Sequence, residues 1–98
     1  MKTITINGRE WKLKQNIKAL IMFEKLTDKP FKLESFSDFV TLLYCCILAN
    51  NFEHLDYNEF LEYLDENPQN ITELSEFLQQ ENNQTELLSG KTTSKKKK

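Results

Sequence analysis

The sequence predicts a mainly α fold of the α+β kind, with an N-terminal β-hairpin packed on a small bundle of about four helices and a disordered basic tail. Three observations carry this. An Asn7-Gly8 pair stands between two alternating segments, four later stretches repeat apolar residues at helical spacing, and the last ten residues are polar and lysine-rich. One compact domain is expected over 1–88, with the hairpin at 2–14, helices at about 16–27, 36–50, 57–66 and 70–81, and the tail at 89–98.

The hairpin follows from turn chemistry. A type I′ turn needs positive φ at both central residues, which Asn and Gly tolerate. With Asn7-Gly8 as the loop, Ile6 faces Arg9, Thr5 faces Glu10, Ile4 faces Trp11, Thr3 faces Lys12 and Lys2 faces Leu13. Period-2 geometry then gathers Ile4, Ile6, Trp11 and Leu13 on one side of the ribbon and Thr3, Thr5, Glu10, Lys12 and Lys14 on the other. A lone hairpin is marginal in water, so the apolar side must lie on something, and the next helix is the nearest candidate.

That first helix is apolar almost all round. At 100° per residue, Ile17, Leu20 and Ile21 form one stripe, expected to receive the hairpin, while Ala19, Met22, Phe23 and Leu26 form a second on nearly the opposite side. Either a later helix covers the second stripe or a partner does. Ala19, Met22, Phe23 and Leu26 are therefore the candidate partner-binding residues. On that reading, a charged residue in place of Phe23 abolishes partner binding and leaves a folded monomer.

Asp28-Lys29-Pro30 ends the helix, since the residue before proline avoids helical dihedrals. Ser35 or Ser37 can cap the second helix, whose Phe36, Phe39, Val40, Leu43, Cys46, Ile47 stripe is widened by Leu42, Tyr44, Cys45 and Leu48 until little polar surface remains. It is the expected central helix. Asn50 and Asn51 are expected to stop it in a left-handed conformation. Asp56 with Glu59 has capping-box spacing for a third helix with Tyr57, Phe60, Leu61 and Leu64 inside. Asn67-Pro68 breaks that helix, and Asn70 with Glu73 repeats the spacing for a fourth, which buries Ile71, Leu74, Phe77 and Leu78.

Charge is divided sharply along the chain. Residues 1–52 carry eight basic and five acidic side chains, residues 53–90 ten acidic and none basic, and residues 91–98 five lysines. The acidic block repels phosphates, so no specific nucleic-acid binding is expected; it forms solvated helix faces, meets a basic partner or tethers the tail. No stretch approaches the roughly 20 apolar residues of a membrane span and no apolar leader opens the chain, so no membrane association and a cytoplasmic location are expected.

Chemistry-bearing patterns are sparse. His54 stands alone, Cys45 and Cys46 are adjacent within the most apolar run, and two glycines allow no phosphate-cradling loop. The acidic residues from Asp56 to Glu66 lack the alternating oxygens, central glycine and closing glutamate of a calcium loop. No enzyme activity, cofactor or metal is expected.

The segments Ile4-Thr5-Ile6-Asn7-Gly8-Arg9-Glu10-Trp11, Lys14-Gln15-Asn16-Ile17-Lys18-Ala19-Leu20-Ile21-Met22-Phe23-Glu24-Lys25-Leu26-Thr27 and Asp38-Phe39-Val40-Thr41-Leu42-Leu43-Tyr44 together resemble the small tail assembly chaperones of long-tailed bacteriophages, over roughly residues 3–80. Asp28 departs from the family pattern, where glycine follows the threonine. The resemblance implies a protein that binds the aggregation-prone tape measure protein and keeps it soluble until tail tube protein polymerises around it. It implies action in the host cytoplasm, absence from the mature virion and self-association as a further option. It also implies a longer frameshifted form, for which the codons of Lys95 to Lys98 would supply a slippery run. Two rival readings are a structural tail or connector component of the virion, and an acidic regulator that captures a host protein.

Overall fold

The computed structural model describes the backbone of residues 1–89 and the side chains of residues 1–81. It is a mainly α protein in which a two-stranded antiparallel hairpin, β1 (Lys2–Ile6) and β2 (Arg9–Leu13), precedes α1 (Ile17–Thr27), α2 (Phe36–Leu48), α3 (Tyr57–Glu66) and α4 (Pro68–Ser89). The expected tail lies outside the described residues except for Ser89, which belongs to α4.

The hairpin register is the one that turn chemistry dictates. Lys2 pairs with Leu13, Thr3 with Lys12, Ile4 with Trp11, Thr5 with Glu10 and Ile6 with Arg9, around Asn7 at φ 52° and Gly8 at φ 80°. Ile4, Ile6, Trp11 and Leu13 are all buried. What they lie on differs from expectation. β2 packs on α2 and β1 on α3, while α1 packs against α2. The reason is in α2, where Val40 and the unbroken run from Leu42 to Ile47 are buried, so this helix accepts neighbours on nearly every side. It offers the hairpin more apolar area than α1 can, and burial at roughly 25 cal/mol per Å² decides the competition.

Side-chain caps set the helix starts. Asn16 accepts from the Ala19 N–H at 2.9 Å, Ser35 from the Asp38 N–H at 3.1 Å and Asp56 from the Asn58 N–H at 3.1 Å. α4 begins two residues earlier than the Asn70–Glu73 spacing predicts. Asn67 accepts from the Gln69 N–H at 3.0 Å with Pro68 at the first helical position, where a missing N–H costs nothing. Asn70 instead donates to the Tyr63 carbonyl at 2.7 Å, closing the last turn of α3. α4 also runs on past 81 to Ser89, and Glu81 is buried there with its carboxylate accepting the Gln15 N–H at 2.8 Å. This contact fixes α4 at Glu81 to the chain leading into α1.

The asparagines after α2 also act differently from expectation. Among non-glycine residues described, positive φ occurs only at Asn7 and Asp28, so Asn50 and Asn51 are not a left-handed stop. Their amides stitch α2 to the hairpin. Asn50 donates to the carbonyls of Lys14 at 2.9 Å and Cys46 at 2.7 Å, and Asn51 to those of Lys12 at 2.9 Å and Ile47 at 2.7 Å while accepting the Lys12 N–H at 3.1 Å. These bonds satisfy helix-end carbonyls and a hairpin edge together. Tyr44 completes the frame by donating its hydroxyl to the Leu55 carbonyl, with its ring 4.9 Å from Tyr57 and 6.0 Å from Phe60.

Candidate interaction surface

Helix α1 has a single large neighbour, and its side chains divide accordingly. Ala19 and Phe23 are fully buried, and Leu20 and Met22 are partly buried against the core. Leu26 remains 57% exposed, and on the outer face Ile17 and Ile21 are 62% and 47% exposed. Of the four candidate partner-binding residues, Ala19 and Phe23 thus have no surface to offer, because α1 turns this side toward α2. Leu26 has such a surface, and Met22 keeps part of one. The stripe assigned to the hairpin, Ile17 and Ile21 with half-buried Leu20, is the one left in water.

A second group of exposed apolar residues surrounds the link between α1 and α2. Phe31, Leu33 and Phe36 are exposed, as is Leu26 near the end of α1, and the link between the helices is held in place. Glu24 accepts the Phe31 N–H at 2.7 Å, and the Phe31 ring packs edge-on to Phe23 at 5.4 Å. Asp38 accepts from the Lys29 ammonium at 2.8 Å and from the Glu34 N–H at 2.9 Å. The Lys29 hydrogen bond, followed by the backbone N–H, holds the Asp38 carboxyl below the ordinary carboxylate range, and the same bond raises Lys29. Asp28 ends α1 in the left-handed region at φ 57°, with its N–H on the Glu24 carbonyl at 2.8 Å.

Sequence reasoning placed Phe36 at the head of a buried stripe. As the first residue of α2 it is exposed, with its ring 5.8 Å from that of Phe39. For Phe31 and Leu33 the available signal was their alternation with Lys32 and Glu34, which fits no helical stripe, whereas the spacing of Phe36 gave none. Phe52, beyond the other end of α2, is wholly exposed and lines a hollow of about 230 Å³ with Lys18, Ala49, Asn50 and Asn51.

The hairpin and the acidic block are paired with each other. Arg9 bridges Glu53 at 3.2 Å, Lys2 reaches Glu73 at 3.9 Å and Asn7 donates to Glu59 at 3.0 Å, so part of the acidic block is matched by the hairpin. A hollow of about 270 Å³ places exposed His54 near Arg9, Trp11 and Glu59, with Arg9 and Glu59 already engaged in these contacts. Another of about 330 Å³ lies beside Lys2, Glu73, Glu76 and Glu81. Cys45 and Cys46 are free and buried; burial pushes the Cys45 thiol up to about 11 and Cys46 higher, away from nucleophilic chemistry at neutral pH. Among the described residues no three His, Cys, Asp or Glu side chains are grouped to hold a metal ion, and no helix is long and apolar enough to cross a membrane.

No family model matches the chain, and neither a curated protein nor a solved structure matches it.

Proposed function

We propose that this protein is a non-catalytic helix-binding protein and, within that class, a tail assembly chaperone that keeps a tape measure protein soluble until tail tube protein polymerises around it. The observation that supports this reading is the exposure of apolar side chains on the α1–α2 pair, Ile17 and Ile21 on the outer face of α1 and, apart from them, Leu26, Leu33 and Phe36 at and around the link. An amphipathic partner helix is the ligand such a surface suits, through anchors at helical spacing. Partial rather than complete coverage of the partner fits a client that must later be released. The action belongs in the host cytoplasm, and the protein leaves before the virion matures.

The test is co-expression of the full chain with the long helical reading frame of the same gene cluster. The tape measure protein should become soluble and co-purify, and mass spectrometry of mature particles should lack this chain. An insoluble client in the presence of the folded protein, or the chain found stoichiometrically in particles, overturns the reading.

A further inference from the structure

We propose that the outer face of α1 is the docking site for an apolar helical segment flanked by acidic side chains. This deepens the binding reading above and rests on it. It also runs against one of the alternatives drawn from the acidic block at 53–90, that this block meets a basic partner.

The argument starts from which charges are already used. Among the described residues Lys2, Arg9, Lys29 and Lys32 each form an ion pair, whereas Lys12 on β2 and, further on, Lys14, Lys18 and Lys25 form none. These last three lie on α1 and its approach. On a helix the neighbours of residue i stand at i±3 and i±4, so exposed Ile21 is ringed by Ile17, Lys18, Glu24 and Lys25. Glu24, the one acid in that ring, has a carboxylate oxygen on the Phe31 N–H. The face therefore presents two isoleucines rimmed by two ammonium groups without ion pairs and by one carboxylate, Glu24, that the Phe31 N–H holds by one oxygen.

The lysine stems extend the apolar area while their heads stay wet. Lys18 also lines the hollow beside wholly exposed Phe52, so the apolar surface has a side pocket where a partner side chain can seat. In such an interface the isoleucines and Phe52 supply affinity, while the lysines supply orientation and discrimination against basic segments. A segment with acidic flanks satisfies both; one with basic flanks meets like charge at Lys18 and Lys25.

Two synthetic amphipathic peptides of about 20 residues test this, sharing one leucine stripe and differing only in flanks of Glu or Lys. Binding to the full chain is read by fluorescence anisotropy, with melting curves as the control for folding. The Glu-flanked peptide should bind at least about tenfold more tightly than the Lys-flanked one, and the preference should shrink as salt rises from about 0.1 to about 0.5 M. The double variant Lys18→Glu, Lys25→Glu should invert the preference, and Ile21→Ser should weaken both peptides about tenfold with an unchanged melting midpoint. The proposal is overturned if the Glu-flanked peptide does not bind, if both peptides bind equally, or if the double variant keeps the wild-type preference. It is overturned in favour of a second copy of this chain if the wild type is a dimer that the double variant dissociates. Capture of the protein by anionic phospholipid vesicles without peptide binding overturns it in favour of a lipid surface. The chaperone reading fails separately, if the wild-type chain holds the Glu-flanked peptide but not the tape measure protein.

Discussion

Helices α1 and α3 are nearly equal in length, 11 and 10 residues, and treat their apolar side chains in opposite ways. α3 buries Phe60, Tyr63 and Leu64, half-buries Leu61 and leaves Tyr57 exposed, with Glu59, Glu62, Asp65 and Glu66 in water. α1 buries Ala19 and Phe23 and leaves Ile17, Ile21 and Leu26 in water. The difference lies in neighbours: α3 packs on β1 and α4 and meets the Tyr44 ring of α2, whereas α1 packs chiefly on α2. An apolar stripe becomes core only where the fold supplies a surface to cover it; otherwise it is available to a partner.

The largest expected effect tests whether the buried sides of these two helices are equivalent. Phe60→Ala and Phe23→Ala should each cost about 3–5 kcal/mol in denaturant unfolding, since both rings are fully buried. A cost below about 1 kcal/mol at Phe23 alone would show that α1 is only loosely attached. A charged residue at Phe23 should unfold the chain rather than leave a binding-deficient monomer. Next comes Asn51→Ala, expected to cost about 1–3 kcal/mol and to speed amide exchange at Lys12, because Asn51 bridges that strand to the end of α2.

Asp28→Gly should act in the other direction and stabilise by about 1 kcal/mol in the same assay, since a left-handed φ of 57° strains an L side chain but not glycine. Glycine is also the residue that the tail-chaperone pattern carries at that place.

A smaller effect concerns the link that frames Leu33 and Phe36. The folded Asp38 carboxyl ionises below its unfolded value, so its stabilisation is present above the ordinary carboxylate range and is lost as pH falls through the folded value. Lys29, raised by the same hydrogen bond, keeps its part at neutral pH and loses it only as pH rises through its folded value above the usual lysine range. Melting midpoints of the wild type and Asp38→Asn should therefore differ at neutral pH and converge in acid. Smallest of all, Ile17→Ser and Ile21→Ser should change stability by less than about 0.5 kcal/mol, as surface positions do. A loss comparable to that of Phe60→Ala would erase the contrast between the two helices.

Much of this architecture is readable from local chemistry. The hairpin register follows from Asn7-Gly8 and period 2 because both are properties of a few adjacent residues. The start of α2 at its Ser35 cap, the start of α3 at Asp56 and the stripe Leu74, Phe77, Leu78 are likewise local. The start of α4 was less legible, because Asn67-Pro68 reads equally as the end of one helix and the cap of the next. The candidate surface was legible only in outline. Helical periodicity identifies two apolar stripes on α1 but contains nothing about which neighbour faces which stripe.

By itself, the sequence determined the order of the elements, the caps of α2 and α3, the hairpin pairing and the surplus of apolar area on α1, because each depends on contacts within a few residues. Tertiary structure alone decided the rest. It set the hairpin on α2 and α3 instead of α1, tied α4 at Glu81 to the Gln15 N–H, and turned Ala19 and Phe23 inward while leaving Ile17 and Ile21 outside. The physical reason is competition for a finite core: α2 offers the most apolar surface, the hairpin and α1 both pack on it, and the side of α1 that finds no place there stays in water.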